Sequence, residues 1–162
     1  MDRRERTPQV SQYGSVDPAP PQSHGSLDMW TNTLCNENEA MFQRMRAVFS
    51  LRNVGTDAAC LALCSGFSSQ SALLRHEIAY VLGQMQNPVA LPTLISRLQD
   101  ENEHVMVRHE AAEAMGAIGD HAVKPVLEAY TNDPNPEVAE SCVVALDLLA
   151  WVEGSEFEST DW

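Results

Sequence analysis

The chain has 162 residues, 44% of them hydrophobic, and a formal net charge of −13, which suits one modest domain. That charge argues against nucleic acid and anionic membrane as main partners and suits a basic one. The opening stretch MDRRERTPQV lacks the apolar core of a signal peptide, and no run of about 20 apolar residues is present to span a membrane.

Residues 1–33 differ from the rest. The stretch YGSVDPAPPQSHGS is rich in Pro, Ser and Gly and has little to bury, which predicts a disordered tail or linker. From Glu37 onward the pattern is helix after helix. Phe42, Met45, Val48, Phe49 and Leu51 form the first apolar stripe, which ends near Gly55. DAACLALCSGF is a short second helix, and SALLRHEIAYVLGQM a third with Ser71 as its N-cap. NPVALPTLISRLQD is a fourth, with Asn87 as its cap and Pro88 in its first turn. VMVRHEAAEAMGAIG and HAVKPVLEAYTND are the fifth and sixth, and NPEVAESCVVALDLLAWVEG is the seventh. Residues 34–153 are thus predicted to be the repeat domain, and residues 154–162 a disordered C-terminus. Cys35, Cys60, Cys64 and Cys142 are scattered and read as free thiols of a cytoplasmic protein rather than a zinc site.

The helices recur in pairs. Leu82-Gly83 precedes Met115-Gly116 by 33 residues, as Pro92 precedes Pro125, while Leu51 precedes Leu82 by 31. A period in the low thirties with two helices per unit predicts an all-α, HEAT-like helical-repeat solenoid of about seven helices. Gly83 and Gly116 lie late in their helices and predict close helix approach.

Two units carry the same polar triplet, Arg75-His76-Glu77 and Arg108-His109-Glu110, 33 residues apart. Leading helices of adjacent repeats pack roughly 8–10 Å apart, so His76 and His109 occupy matching slots on neighbours. Metal–nitrogen bonds of about 2 Å let two such rings share an ion. Two histidines plus a carboxylate, from Glu77 or Glu110, are the ligand type of non-haem ferrous oxygenases. A structural explanation competes: shared ancestry repeats residues, and Arg-His-Glu can serve a local hydrogen-bond network. The flanking units hold Met45-Arg46 and Glu140-Ser141 in the same slot, so the His-Glu pair is confined to the two central units. HEIAY and HEAAE lack the second histidine of the zinc-protease motif. Glu113 is read as solvated, Tyr80 as packed, and His24, His104 and His121 as outside any site.

The stretches SALLRHEIAYVLGQMQ, MVRHEAAEAMGAIG and PEVAESCVVALDLL resemble the deoxyhypusine hydroxylase family of HEAT-like-repeat di-iron monooxygenases. YGSVDPAPP resembles that family's inter-half linker, and FQRMRAVFSLRN the first repeat of its second half. The resemblance is thus placed in the C-terminal half only. It implies hydroxylation of deoxyhypusine on the translation factor 5A precursor to give hypusine, using non-haem Fe(2+) and dioxygen in the cytoplasm. It implies His76, His109 and Glu110 as iron ligands, with Glu77 either in the metal set or facing the substrate amine as a catalytic carboxylate. It also implies that one iron set is present, so that a homodimer, or pairing with a missing N-terminal half, would complete the site. The alternatives are a non-catalytic HEAT-repeat protein-binding module and a bilin-lyase-like repeat protein.

Overall fold

The computed structural model of the chain describes residues 7–154. The expected disordered C-terminus lies, apart from Gly154, outside the described residues. Among the described residues eight α-helices follow one another: α1 (Leu27–Cys35), α2 (Met41–Val54), α3 (Asp57–Ser65), α4 (Ala72–Met85), α5 (Leu91–Gln99), α6 (Val105–Ile118), α7 (Lys124–Ala129) and α8 (Pro136–Glu153). Among the described residues no strand appears beyond one isolated bridge, Val10 to Val16.

The helix ends follow local chemistry. Ser71 accepts a hydrogen bond from the Leu74 N–H and starts α4. Asn87 accepts from the Val89 N–H and opens a short 3-10 turn, Pro88–Ala90, that runs into α5. Pro136 takes the first turn of α8, where its missing N–H costs nothing. Gly55 and Gly119 end α2 and α6 in the left-handed region, at φ 73° and 79°.

Helices α2, α4, α6 and α8 form one layer, packed in that order, while α3, α5 and α7 return along the other side. A single apolar core runs between the layers from Leu34 and Phe49 through Ile78, Leu82 and Leu94 to Met115 and Leu149. The architecture is an all-α HEAT-like solenoid. Two glycines set the spacing of the inner layer. A Cβ on Gly83 would lie 3.1 Å from Ala114 Cα, and one on Gly116 only 2.9 Å from Ala145 Cβ and 3.0 Å from its Cα. The helices therefore approach more closely than side chains at those positions would permit.

A recurring arginine locks the turns that lead into α2, α4 and α6. Arg44 donates from Nε to the Leu34 carbonyl at 2.9 Å, and Arg108 donates likewise to the Leu98 carbonyl at 2.9 Å, each reaching 10 residues back. Arg108 also pairs with Asp133 at 2.6 Å. Arg75 pairs with Glu103 at 2.7 Å and donates to the Ser69 carbonyl, also at 2.7 Å. These guanidiniums satisfy carbonyls and carboxylates that have left water.

The N-terminal segment differs from what its composition predicts. Residues 27–35 are helical, with Ser26 accepting from the Met29 N–H as N-cap, which raises the helix count from seven to eight. Leu34 is fully buried, and Trp30 donates through its indole N–H to Gln22 Oε1 at 2.9 Å. Upstream, residues 7–26 lie along α2. The Gln22 N–H donates to Ser50 Oγ at 2.8 Å, and Arg46 Nε to the Pro20 carbonyl at 2.8 Å. Asp17 binds both terminal nitrogens of Arg52, at 2.9 and 2.7 Å. The Arg52 guanidinium lies 4.6 Å from the Tyr13 ring and 4.9 Å from that of Phe49. Few apolar groups hold this segment. Polar side chains spaced along α2 hold it, and hydropathy does not register them.

Candidate metal centre

Arg75 and Arg108 are fixed by the bonds just described, and this sets how α4 and α6 are rotated about their axes. The next residue on each helix turns by about 100°, so His76 and His109 leave the core on the same side. Their rings stack with centroids 6.4 Å apart and planes inclined by 17°. Both are partly exposed, at 27% and 22% of the side chain.

Glu110, on the second helix, places one carboxylate oxygen between them. Its Oε2 lies 3.1 Å from His76 Nε2 and 3.4 Å from His109 Nε2. One nitrogen from each ring and one carboxylate oxygen, on His76, His109 and Glu110, all fall within 4.8 Å of one another. Bonds of about 2 Å to a shared ion would place adjacent ligands about 3 Å apart, so these donors need move by only about an ångström or two to fit one. The donor chemistry, two imidazoles and a carboxylate with no thiolate, suits iron.

Glu77 is not a member of that set. It is half-buried on α4, and burial pushes its carboxyl above the usual range. His76 opposes the shift, Glu110 and Asp17 add to it, and Arg52 opposes it. The His76 imidazole is pushed upward chiefly by its hydrogen bond to Glu110, against its own burial. Glu113, 45% exposed, brings Oε1 to 3.5 Å from His109 Nδ1. His104 caps α6 by accepting from the Met106 N–H, and His121 pairs with Glu153 at 3.1 Å. His24 is exposed.

Sequence reasoning passed over Ser141. Its Oγ lies 2.7 Å from His109 Nδ1. The signal was present in the repeat. His76 reaches Glu110 on the next leading helix, and Ser141 lies 31 residues past Glu110. Each histidine therefore touches the residue that follows the histidine slot one repeat on.

Beside the donors lies a cleft of about 410 Å³ whose lining includes Tyr80, Gln84, Glu110, Glu113, Val144 and Leu148. Its walls are largely apolar and its acids sit toward the histidines. No helix among the described residues is long and apolar enough to cross a membrane. All four cysteines are free, with Cys60 and Cys142 buried, Cys64 half-buried and Cys35 exposed.

Comparisons with known proteins give the chain named relatives. Deoxyhypusine hydroxylase of Arabidopsis thaliana is 52% identical over 159 residues, 97% of this chain and 51% of the relative. That of Candida albicans is 49% identical over 152 residues, 91% of this chain and 48% of the relative. That of Homo sapiens is 45% identical over 154 residues, 95% of this chain and 51% of the relative. The solved structure of human deoxyhypusine hydroxylase in complex with glycerol superposes with a TM-score of 0.86 at 46% identity, covering 90% of this chain and 50% of that one. The chain spans about half the length of the curated relatives it matches. The expected restriction of the likeness to a C-terminal half is corrected by these matches, which take in 91–97% of this chain. The physical reason lies in the N-terminal segment, which is folded onto α2 rather than left as a linker. The family model described as HEAT repeats matches residues 27–106 and 61–147, the span over which α1 to α8 stack, and the chain belongs to the HEAT-repeat family.

Proposed function

We propose that this chain supplies an iron-binding ligand set of a deoxyhypusine hydroxylase. The observation that carries this is the convergence of His76, His109 and Glu110 within 4.8 Å in a chain 45–52% identical to relatives of that name. In this proposal His76 and His109 give imidazole nitrogens to iron, and Glu110 gives a carboxylate oxygen. Non-haem Fe(2+) with dioxygen would supply the oxidising power needed to hydroxylate an unactivated carbon.

The remaining work falls to the chain's own groups. The substrate is the deoxyhypusine side chain of the translation factor 5A precursor, an aliphatic chain that carries ammonium groups. Val144 and Leu148 on the cleft wall exclude water beside the aliphatic part. Glu113 meets positive charge at the cleft. Glu77 is proposed as the catalytic carboxylate that pairs with the substrate ammonium, or as a further oxygen donor to the metal. Its desolvation supports either role, because a cation placed beside a buried acid relieves the cost of ionising it. The net charge of −13 favours approach of a cationic side chain and a basic loop. A cytoplasmic setting follows from the same proposal.

Among the described residues His76, His109 and Glu110 are the only such set. A second iron would need a second set, from another copy of this chain or another polypeptide carrying its own His-Glu repeats. The test is metal analysis of the purified chain. About one iron per chain, lost in His76→Ala and in His109→Ala with helicity retained, is the expected result. An iron-free wild-type chain after anaerobic loading with ferrous iron would leave a non-catalytic binding module in its place. Turnover is then measured on precursor protein bearing deoxyhypusine.

A further inference from the structure

Ser141 lies on α8 and is buried, with 6% of its surface exposed. Its hydroxyl oxygen has two short contacts. One is to the Glu137 carbonyl oxygen at 2.7 Å, a turn back on the same helix. The other is to His109 Nδ1 at 2.7 Å. A carbonyl oxygen can only accept, so both contacts are hydrogen bonds only when the single Ser141 proton goes to Glu137. The Ser141 oxygen must then accept from His109, which places the imidazole proton on Nδ1. Glu113 Oε1, 3.5 Å from the same nitrogen, is also an acceptor and asks for the same proton.

This has a consequence at the other end of the ring. In neutral His109 the Nε2 atom carries a bare lone pair. It faces Glu110 Oε2 at 3.4 Å, and an ionised carboxylate offers only lone pairs. Two acceptors in apposition repel unless a cation lies between them. His76 is under no such constraint, since its Nε2 can donate a proton to the same oxygen across 3.1 Å. The two rings are therefore unequal.

We infer that Ser141 is a positioning residue: it holds His109 in the Nδ1–H tautomer and keeps the Nε2 lone pair turned onto the cation site shared with Glu110 and His76. The residue that keeps an imidazole oriented by bonding its far nitrogen commonly governs metal affinity. Gly116 supports the arrangement. It lies two turns beyond His109, and its contact with Ala145, one turn beyond Ser141, brings α6 and α8 together. The cation's identity as iron rests on the proposal above, whereas the tautomer does not.

The test therefore reads the tautomer without metal. Imidazole nitrogen shifts are recorded by NMR on the metal-free chain at about pH 8.5, where a free imidazole is neutral. The expected result is a protonated Nδ1 and a bare Nε2 on His109, with His109→Gln used for assignment. Ser141→Ala should shift His109 toward the Nε2–H form and weaken anaerobic ferrous-iron binding by about 10–100-fold. Ser141→Thr, which keeps the hydroxyl, should restore both. A wild-type His109 protonated at Nε2 overturns the inference, as does a Ser141→Ala variant with unaltered tautomer and unaltered iron affinity. A wild-type chain with the Nδ1–H tautomer that binds no ferrous iron supports the tautomer and overturns the iron proposal instead.

Discussion

Arg108 and His109 are neighbours in the chain, yet they belong to regions of opposite character. Arg108 is 2% exposed, and its bonds close on Asp133 and the Leu98 carbonyl. Equivalent arginines stand in three successive repeats, at 44, 75 and 108. His109 is partly open to solvent, faces the repeats on either side rather than its own turn, and recurs only at position 76. A residue that recurs in three successive units and is fully bonded is a device of the stack. One that recurs only where two units meet, with a lone pair left over, points to something the stack does not supply.

The sharpest way to break this contrast is to remove the arginine. Arg108→Ala leaves the Asp133 side chain without its counter-charge, held only by the Asn135 N–H groups, and the Leu98 carbonyl without its guanidinium donor. Loss of one member of a buried pair costs about 3–5 kcal/mol, so the denaturation midpoint should fall steeply. His109→Ala, one residue away, should cost under about 1 kcal/mol while removing the metal site. Urea unfolding of both variants beside iron titration decides it. Equal stability losses would mean that the histidine is also a brace.

The glycines come next in size. Gly116→Ala places a methyl 2.9 Å from Ala145 Cβ and 3.0 Å from its Cα, and a backbone cannot yield as a side-chain tip does. Overpacking costs about 1–3 kcal/mol, offset by about 1 kcal/mol of helix propensity. A net loss of about 1 kcal/mol is expected. Gly83→Ala meets Ala114 at 3.1 Å and should fall closer to neutral. Only the first should also disturb the His109–Ser141 contact, seen as a shift of the His109 ring nitrogens.

Acid separates the two regions by sign. Asp133 and Glu103 are buried, which alone would raise their carboxyls, but their arginine partners and backbone donors bring both below the usual range. Groups with a lowered folded value contribute stability above their unfolded value of about 4, and that stability is lost as pH falls through the folded value. His76 runs the other way. Its raised value, caused first by the Glu110 hydrogen bond, contributes stability below the ordinary histidine range of about 6.5 that fades as pH rises through its folded value. The metal-free chain should therefore gain slightly in thermal midpoint from about pH 8 to 6 and lose heavily below about pH 4. His76→Ala should abolish the first change and keep the second.

Much of this was legible in the residues. The caps at Ser71 and Asn87, the prolines 88 and 136 and the period in the low thirties gave the helices and their stacking, because each acts within a few residues or repeats at fixed distance. The matched histidines could be placed on one face for the same reason. What escaped was held by long-range polar bonds. The segment before Leu27 is tied down by Arg46, Ser50 and Arg52 of α2, and nothing in its own Pro- and Ser-rich composition announces that. Ser141 is hidden for a like reason: a serine in that slot carries no metal-ligand signature, and only the contact with His109 Nδ1 across to α8 reveals it.

The smallest expected effect on folding, and the most discriminating one for the site, belongs to Glu77→Gln. Glu77 shares the triplet with His76 but stands outside the donors that converge. Its carboxyl is raised first by burial, so ionising it at neutral pH opposes folding rather than supporting it. Replacing it by the neutral amide of the same shape should leave the thermal midpoint unchanged or slightly higher at pH 7. It should leave ferrous-iron affinity nearly intact if His76, His109 and Glu110 are the whole set. Binding of a deoxyhypusine-bearing peptide should then weaken by about tenfold, the effect of losing one partly desolvated counter-charge, and the loss should shrink as salt is added. Glu110→Gln supplies the contrast, since it should reduce iron affinity first and peptide binding only as a consequence. The measurements are iron titration and peptide binding on both variants at two ionic strengths. Equal iron loss in the two would place Glu77 among the ligands and end the distinction drawn between the carboxylates. Intact iron and intact peptide binding in Glu77→Gln would leave its burial a property of the helix face alone.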